Sequence, residues 1–198
     1  MRRVLLGVLG LALLAGCGVR PAASGPDIPP VPRTSTRPAP PQKVPRCAPK
    51  GVRISVVGGD AAMGLRTLSI ELANCGRAPV TVHGYPALRL YDEDDQPVEV
   101  AVRQGSGDIA VVPEFDDPPR DVVLQPGEKA RSGLLWRNLV TDSTVKATTA
   151  TRLEAAPTQG EPWQDVPLVI PNDVTGTTTV TIDLGNTGKL GVQAWQKT

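Results

Sequence analysis

Apolar and polar residues alternate along several short segments in the second part of the chain. The alternating apolar positions are Leu68, Ile70 and Leu72; Leu88 and Leu90; Val98, Val100 and Val102; and Val180, Ile182 and Leu184. An alternation of period two predicts β-strands with one buried and one solvated face. A further strand is predicted at Val52 to Val57.

Turn sequences separate these predicted strands. They are Gly58-Gly59-Asp60, Asp92 to Pro97, Gln125-Pro126-Gly127 and Gly185-Asn186-Thr187-Gly188. Glycine, proline and asparagine at these intervals favour tight connections, and no segment has convincing helical periodicity. The pattern therefore predicts an all-β domain over residues 46–198, an immunoglobulin-like antiparallel β-sandwich, with a closed barrel as the alternative.

The first 16 residues have the features of a secretory signal peptide. Two arginines follow Met1, and an apolar run extends from Val4 to Ala15, which is too short to span a membrane stably. The sequence "LAGC" that ends at Cys17 resembles the lipobox of bacterial lipoproteins. This resemblance implies cleavage before Cys17 and acylation of its thiol, which would anchor the mature chain in the lipid bilayer at the extracytoplasmic face of the cell membrane. The alternative is an ordinary secretory signal with Cys17 as a plain thiol.

Residues 17–45 would then be the lipidated cysteine and a tether. Nine prolines occur between residues 18 and 45, with almost no large apolar side chains. Such a segment buries too little apolar surface to offset its ordering entropy, so a disordered linker is predicted. A proline-rich ligand for a recognition domain is the alternative.

Overall charge argues against nucleic acid as a partner. The chain has 21 lysines and arginines and 20 acidic residues. Removal of residues 1–16 takes away two arginines, and 19 minus 20 leaves a formal charge of −1. A nearly neutral chain has no broad attraction to a polyanion.

Cys47 and Cys75 remain as an even pair after Cys17 is assigned to lipid. In a chain exported to an oxidising compartment, two cysteines most often form a disulfide. The alternatives are two buried thiols or a metal site, for which the single histidine, His83, offers few further ligands.

A longer stretch carries a family resemblance. The segments "RISVVGG" and "LSIELANCGRAPVTVHGYPALRLYD" resemble domain of unknown function 4232, found in secreted lipoproteins of actinobacteria. The matching positions are Cys47, Asn74, Gly76, Gly84, Tyr85, Pro86 and Asp92. The resemblance implies a fold and an extracytoplasmic location, and the family has no general assigned activity.

Two motifs with aromatic residues are candidate binding sites. In Gly84-Tyr85-Pro86, glycine permits a positive φ and proline fixes its own φ, so the motif predicts a rigid structural corner. An exposed Tyr85 would instead be a binding candidate. Of the three tryptophans, Trp136 and Trp195 lie in strand-like runs and are predicted to be buried, whereas Trp163 is the exposed candidate for partner binding.

Two acidic loops are candidates for a calcium site, since calcium prefers six to eight oxygen ligands. The residues concerned are Asp92, Asp94, Asp95, Asp116 and Asp117. Solvated hairpin loops are the simpler interpretation, and no metal or other cofactor is predicted.

No motif for catalysis is present in the sequence. Ser106 lies outside any nucleophile-elbow pattern, and His83 has no partner in the sequence to activate it. The sequence therefore favours a non-catalytic binding module of the cell envelope with an unknown envelope protein or glycan as partner. An envelope enzyme, or a calcium-binding protein that uses the acidic loops, is the alternative.

Overall fold

The computed structural model describes residues 47–198 apart from residues 49 and 175, and this part of the chain is all-β. The predicted signal peptide, Cys17 and the Pro-rich tether lie outside the described residues. The strands are β1 (Val52–Ala62), β2 (Leu65–Asn74), β3 (Val80–His83), β4 (Ala87–Tyr91), β5 (Ala101–Gln104), β6 (Asp121–Leu124), β7 (Lys129–Arg137), β8 (Thr148–Ala150), β9 (Arg152–Ala156), β10 (Gln164–Val166), β11 (Val169–Asn172), β12 (Gly176–Thr179), β13 (Ile182–Gly185), β14 (Lys189–Val192) and β15 (Gln196–Lys197). A single 3-10 turn, Pro113–Phe115, interrupts them in the described region.

The largest sheet has the strand order β1-β2-β7-β14-β5, and β15 also pairs with β7. Its pairs are antiparallel except for β14 and β5, which run parallel. A three-stranded sheet, β10-β9-β4, and three two-stranded ladders, β3-β6, β13-β8 and β11-β12, complete the described fold. One core cluster includes residues from the largest sheet and from the smaller ones, so the predicted β-sandwich is confirmed.

Alternation along the strands explains the core. Leu68, Ile70 and Leu72 of β2 are buried, while Ser69 between them is only half-buried. Trp136 and Trp195 are also buried, as predicted, and each indole N–H donates a hydrogen bond to a backbone carbonyl. A buried tryptophan needs such an acceptor because an unpaired donor in the core is costly.

The turn predicted at Gly58-Gly59-Asp60 is wrong. Strand β1 continues through these residues to Ala62, with a register shift between Val56 and Gly58. Because a β-bulge accommodates an extra residue within a strand, the glycine pair marks a bulge and not a chain reversal. The reversal occurs at Met63 and Gly64, where φ is 45° and 78°.

Two predicted strands have different bounds in the structure. Val98 and Val100 pack against the core but precede β5, which begins at Ala101, while Val102 is exposed. Likewise, the pattern from Val180 to Leu184 falls after β12, and only β13, from Ile182, is a strand there. The apolar positions were therefore identified more accurately than the backbone pairing.

Residues 105–118 form a strap over the outer face of the largest sheet. Ile109 and Phe115 of this outer-face strap are buried against Leu135, in a second small apolar cluster. A Cβ atom at Gly133 would lie 2.5 Å from Cζ of Phe115, so the ring occupies the space that a side chain there would need. Because Gly133 lacks a side chain, the strap can lie directly on the sheet.

Candidate binding sites

The Gly84-Tyr85-Pro86 motif forms a corner between β3 and β4. Gly84 has a φ of 87°, in the region that favours glycine. Its carbonyl accepts a hydrogen bond of 2.9 Å from the backbone N–H of Trp195. Pro86 is buried, and Tyr85 is half-buried with its ring packed against the core. These contacts account for the motif as a structural element, the simpler of the two interpretations.

Trp163 belongs to one of two neighbouring cation–π pairs. The Arg89 guanidinium carbon lies 4.0 Å from the centroid of the Trp163 ring, and that of Arg152 lies 3.7 Å from the centroid of Tyr91. Glu154 links the two pairs, since it accepts hydrogen bonds from the Tyr91 hydroxyl and Arg152 and lies 3.9 Å from Nη1 of Arg89. Trp163 is therefore half-buried and already in contact with a cation, which leaves less of its ring for a partner than predicted.

In the first acidic loop, the carboxylates of Asp92 and Asp95 accept hydrogen bonds from groups of the protein. Oδ1 of Asp92 accepts hydrogen bonds from the backbone N–H groups of Asp94 and Gln96, at 3.0 Å and 2.8 Å. Asp95 accepts one from Arg152 Nε at 2.7 Å. This hydrogen bond is also the main reason that the pKa of Arg152 is raised above its ordinary value.

The second acidic loop lies in the outer-face strap. Asp116 accepts hydrogen bonds of 2.7 Å from both the N–H and the hydroxyl of Ser106, and these bonds lower the pKa of Asp116. Asp117 accepts a longer one, 3.3 Å, from Gln196. Within the described residues, no three acidic, histidine or cysteine side chains come together as metal ligands, so the two loops do not form the joint site considered from the sequence.

His83 lies at the surface with one carboxylate. Its Nδ1 is 2.8 Å from Oδ1 of Asp121 across the β3-β6 ladder, and both side chains are more than half exposed. Ser106, considered from the sequence as a nucleophile, is buried and bound to Asp116. The structure thus places His83 and Ser106 with different carboxylates.

Cys47 and Cys75 form a disulfide, as predicted, with 6.0 Å between their Cα atoms. The bond joins the residue that begins the described region to the residue that follows β2. A backbone hydrogen bond from Cys75 to Gly51 closes the same corner. Within the described residues, no helix is long and apolar enough to cross a membrane.

One polar cavity was not anticipated from the sequence. It has a volume of about 320 Å³ and lies where the outer-face strap meets the end of β7. Arg137, the last residue of β7, lines it together with Lys189 at the start of β14. No sequence signal distinguishes Arg137 from the other arginines, because its neighbours in the cavity come from distant parts of the chain.

Comparison with known proteins gives one match. Residues 47–196 match the family described as Domain of unknown function (DUF4232). No curated protein and no solved structure matches the chain. Because the match covers well over half of the sequence and nearly all of the described domain, the chain belongs to this family of unknown function.

Proposed function

We propose that the chain is a lipid-anchored extracytoplasmic binding module of the cell envelope. The observation that supports this proposal best is the Cys47–Cys75 disulfide. Disulfides persist in oxidising compartments and are rare where thiols are kept reduced. An exported chain is also what the basic and apolar N-terminus favours, and Cys17 is the residue that the lipobox pattern selects for acylation.

In this proposal the acylated Cys17 holds the chain in the lipid bilayer, and the proline-rich segment separates the bilayer from the β-sandwich. The sandwich acts by binding a partner in the envelope. Strand β1 leads from the disulfide corner to the turn at Met63, and its 11 residues extend over roughly 35 Å. Met63 therefore lies far from the end where the tether joins, and it is 98% exposed.

The anchor is tested by the Cys17→Ser variant. Cells that express the wild-type chain should retain it in the membrane fraction and incorporate a labelled fatty acid into it, whereas the variant should be released and unlabelled. The matched control is Cys47→Ser with Cys75→Ser, which removes the disulfide but leaves the lipobox unchanged. Unaltered membrane retention of Cys17→Ser would contradict the proposal.

Partner binding is tested with photo-crosslinking residues at two exposed positions, Met63 and Val111, in intact cells. A binding module should give a discrete adduct of constant mass from at least one position, and excess unlabelled domain should compete for it. Adducts that are absent at both positions, or that do not diminish with competitor, would count against a surface-mediated binding function at these positions.

A further inference from the structure

The polar cavity beside the outer-face strap is open to solvent on one side and is bordered by two parts of the chain that are distant in sequence. Residues that line it include Asp108, Ile109, Arg137, Thr141, Asn186 and Lys189. Its volume of about 320 Å³ is at the lower end of the range for small-molecule sites. A small ligand, with one polar group and a few further heavy atoms, would fit there.

The first wall is a loop held in place by Asn186. The backbone N–H of Asn186 donates to the carbonyl of Leu139 at 3.0 Å, and its side-chain oxygen accepts from the N–H of Thr141 at 2.9 Å. Its side-chain amide also donates to the carbonyl of Asp142. Three bonds from one residue fix this loop, so the wall is formed before any ligand arrives.

The second wall is the outer-face strap, and Arg137 is bonded to it. Nε of Arg137 donates a 2.7 Å hydrogen bond to the carbonyl of Ile109, whose side chain is buried in the cluster with Phe115 and Leu135. This bond orients the guanidinium group. Its Nη1 and Nη2 atoms make no hydrogen bond or ion pair with any residue in the described part of the chain, so their N–H groups are available to a ligand.

The residues that line the cavity carry one positive charge in excess. Lys189 pairs with Asp108, and the hydrogen bond between them is the main reason that the pKa of Asp108 is lowered. Asp108 is therefore ionised at neutral pH and compensates Lys189. Arg137 has no such counter-ion among the described residues, and the lining with its two cations and one anion carries a net charge of +1.

We propose that this cavity binds the carboxylate group of a small ligand through the Nη1 and Nη2 atoms of Arg137. Guanidinium presents two parallel N–H groups that match the two oxygens of a carboxylate. A carboxylate also neutralises the single excess charge. A phosphate shares the oxyanion geometry, but its second negative charge would have no partner here. The volume of the cavity leaves room for a short substituent on such a ligand.

This inference rests on the proposed binding function and names one site for it. The probes are N-acetyl-leucine, its neutral analogue N-acetyl-leucinamide, and methyl phosphate, each titrated into the ¹⁵N-labelled full-length chain. The side-chain NMR signals of Arg137 should shift saturably with N-acetyl-leucine in the millimolar range, and little with the amide. Equal shifts with the neutral amide, or no shift with the acid, would overturn the proposal. Tighter binding of methyl phosphate would overturn the choice of carboxylate.

Variants separate this cavity from general charge effects. Arg137→Gln should weaken the binding of N-acetyl-leucine at least about tenfold, because a charged hydrogen-bonded pair is lost. The matched control Arg120→Gln removes the same charge at an exposed position outside the cavity lining and should leave binding unchanged. Thr141→Tyr keeps Arg137 and fills the cavity, so it should also weaken binding. If Arg137→Gln does not fold, the Thr141→Tyr variant still tests the proposal.

The two proposals can fail separately. If the wild-type chain is absent from the membrane fraction but N-acetyl-leucine still binds at Arg137, only the lipoprotein proposal is contradicted. Normal anchoring and partner crosslinking, with N-acetyl-leucine binding equal in wild type and in both cavity variants, would contradict the carboxylate site alone.

Discussion

Phe115 is predicted to hold the outer-face strap on the largest sheet, and its replacement by alanine tests this role. The side chain is 7% exposed and belongs to a cluster with only two other buried residues, Ile109 and Leu135. Phe115 has the larger of the two buried side chains by which the strap contacts the sheet. Phe115→Ala should therefore release the strap without unfolding the main core.

The magnitude follows from the buried area. Exchange of a benzyl group for a methyl group removes roughly 120 Å² of buried apolar surface, which at about 25 cal/mol per Å² corresponds to a loss of about 3 kcal/mol. The ring lies against Gly133, which has no side chain, so the strap can move into part of the vacated space. The cost therefore stays near the lower end of the range of about 3 to 5 kcal/mol for Phe-to-Ala changes in cores.

Two measurements distinguish local release from global destabilisation. Urea unfolding should show a loss of about 3 kcal/mol if the strap unfolds with the domain, and amide hydrogen exchange should show the largest loss of protection between residues 105 and 118. Val111→Ala is the matched control, since Val111 is on the same strap but 94% exposed. A loss for Phe115→Ala no larger than that of Val111→Ala would refute the reasoning.

Two further predictions concern the covalent and ionic links of the domain. Replacement of both Cys47 and Cys75 by serine should lower the free energy of unfolding by about 3.6 kcal/mol on the chain-entropy model for a loop of this length. Urea unfolding of the variant and of the oxidised wild type measures this difference. Equal stabilities would exclude a role for loop closure. The pKa of Asp116 is lowered below 3.8 by its bonds to Ser106, so its stabilising contribution is present above that pH and is lost as pH falls through the lower native pKa. The Ser106 amide NMR signal should therefore change only in strongly acidic solution, and it should lose this transition in Asp116→Asn; a transition near neutral pH would contradict the assignment.

The strands that pair near neighbours in sequence were the most predictable. In β2, Leu68, Ile70 and Leu72 alternate with polar residues because one face of the strand is in the core, and this local pattern is visible without any knowledge of the partner strand. The glycine pair at Gly58-Gly59 could not be resolved in the same way. Glycine suits both turns and bulges, and the long pairing of β1 with β2 determines which of the two occurs.

The outer-face strap and the polar cavity could not be predicted because both depend on contacts between distant segments. Residues 105–118 have no strand periodicity, and the burial of Phe115 among them requires the small residue at Gly133. Arg137 resembles any arginine at the end of a strand until the Ile109 carbonyl, 28 residues earlier in the chain, is placed beside it. Conversely, the acidic loops looked like metal sites in sequence, and the structure accounts for Asp92, Asp95 and Asp116 with hydrogen bonds inside the protein.

The position of the Cys47–Cys75 disulfide also determines how the domain transmits mechanical force. A pull on the N-terminal segment reaches Cys47 and passes through the sulfur atoms to Cys75, so β1 and β2 lie outside the load path. About 100 Å of chain contour is thereby locked inside the covalent loop and cannot extend. Force enters the fold at the end of β2, a strand flanked by hydrogen-bonded neighbours on both sides, and not at the sheet edge, where strands could be peeled away one at a time.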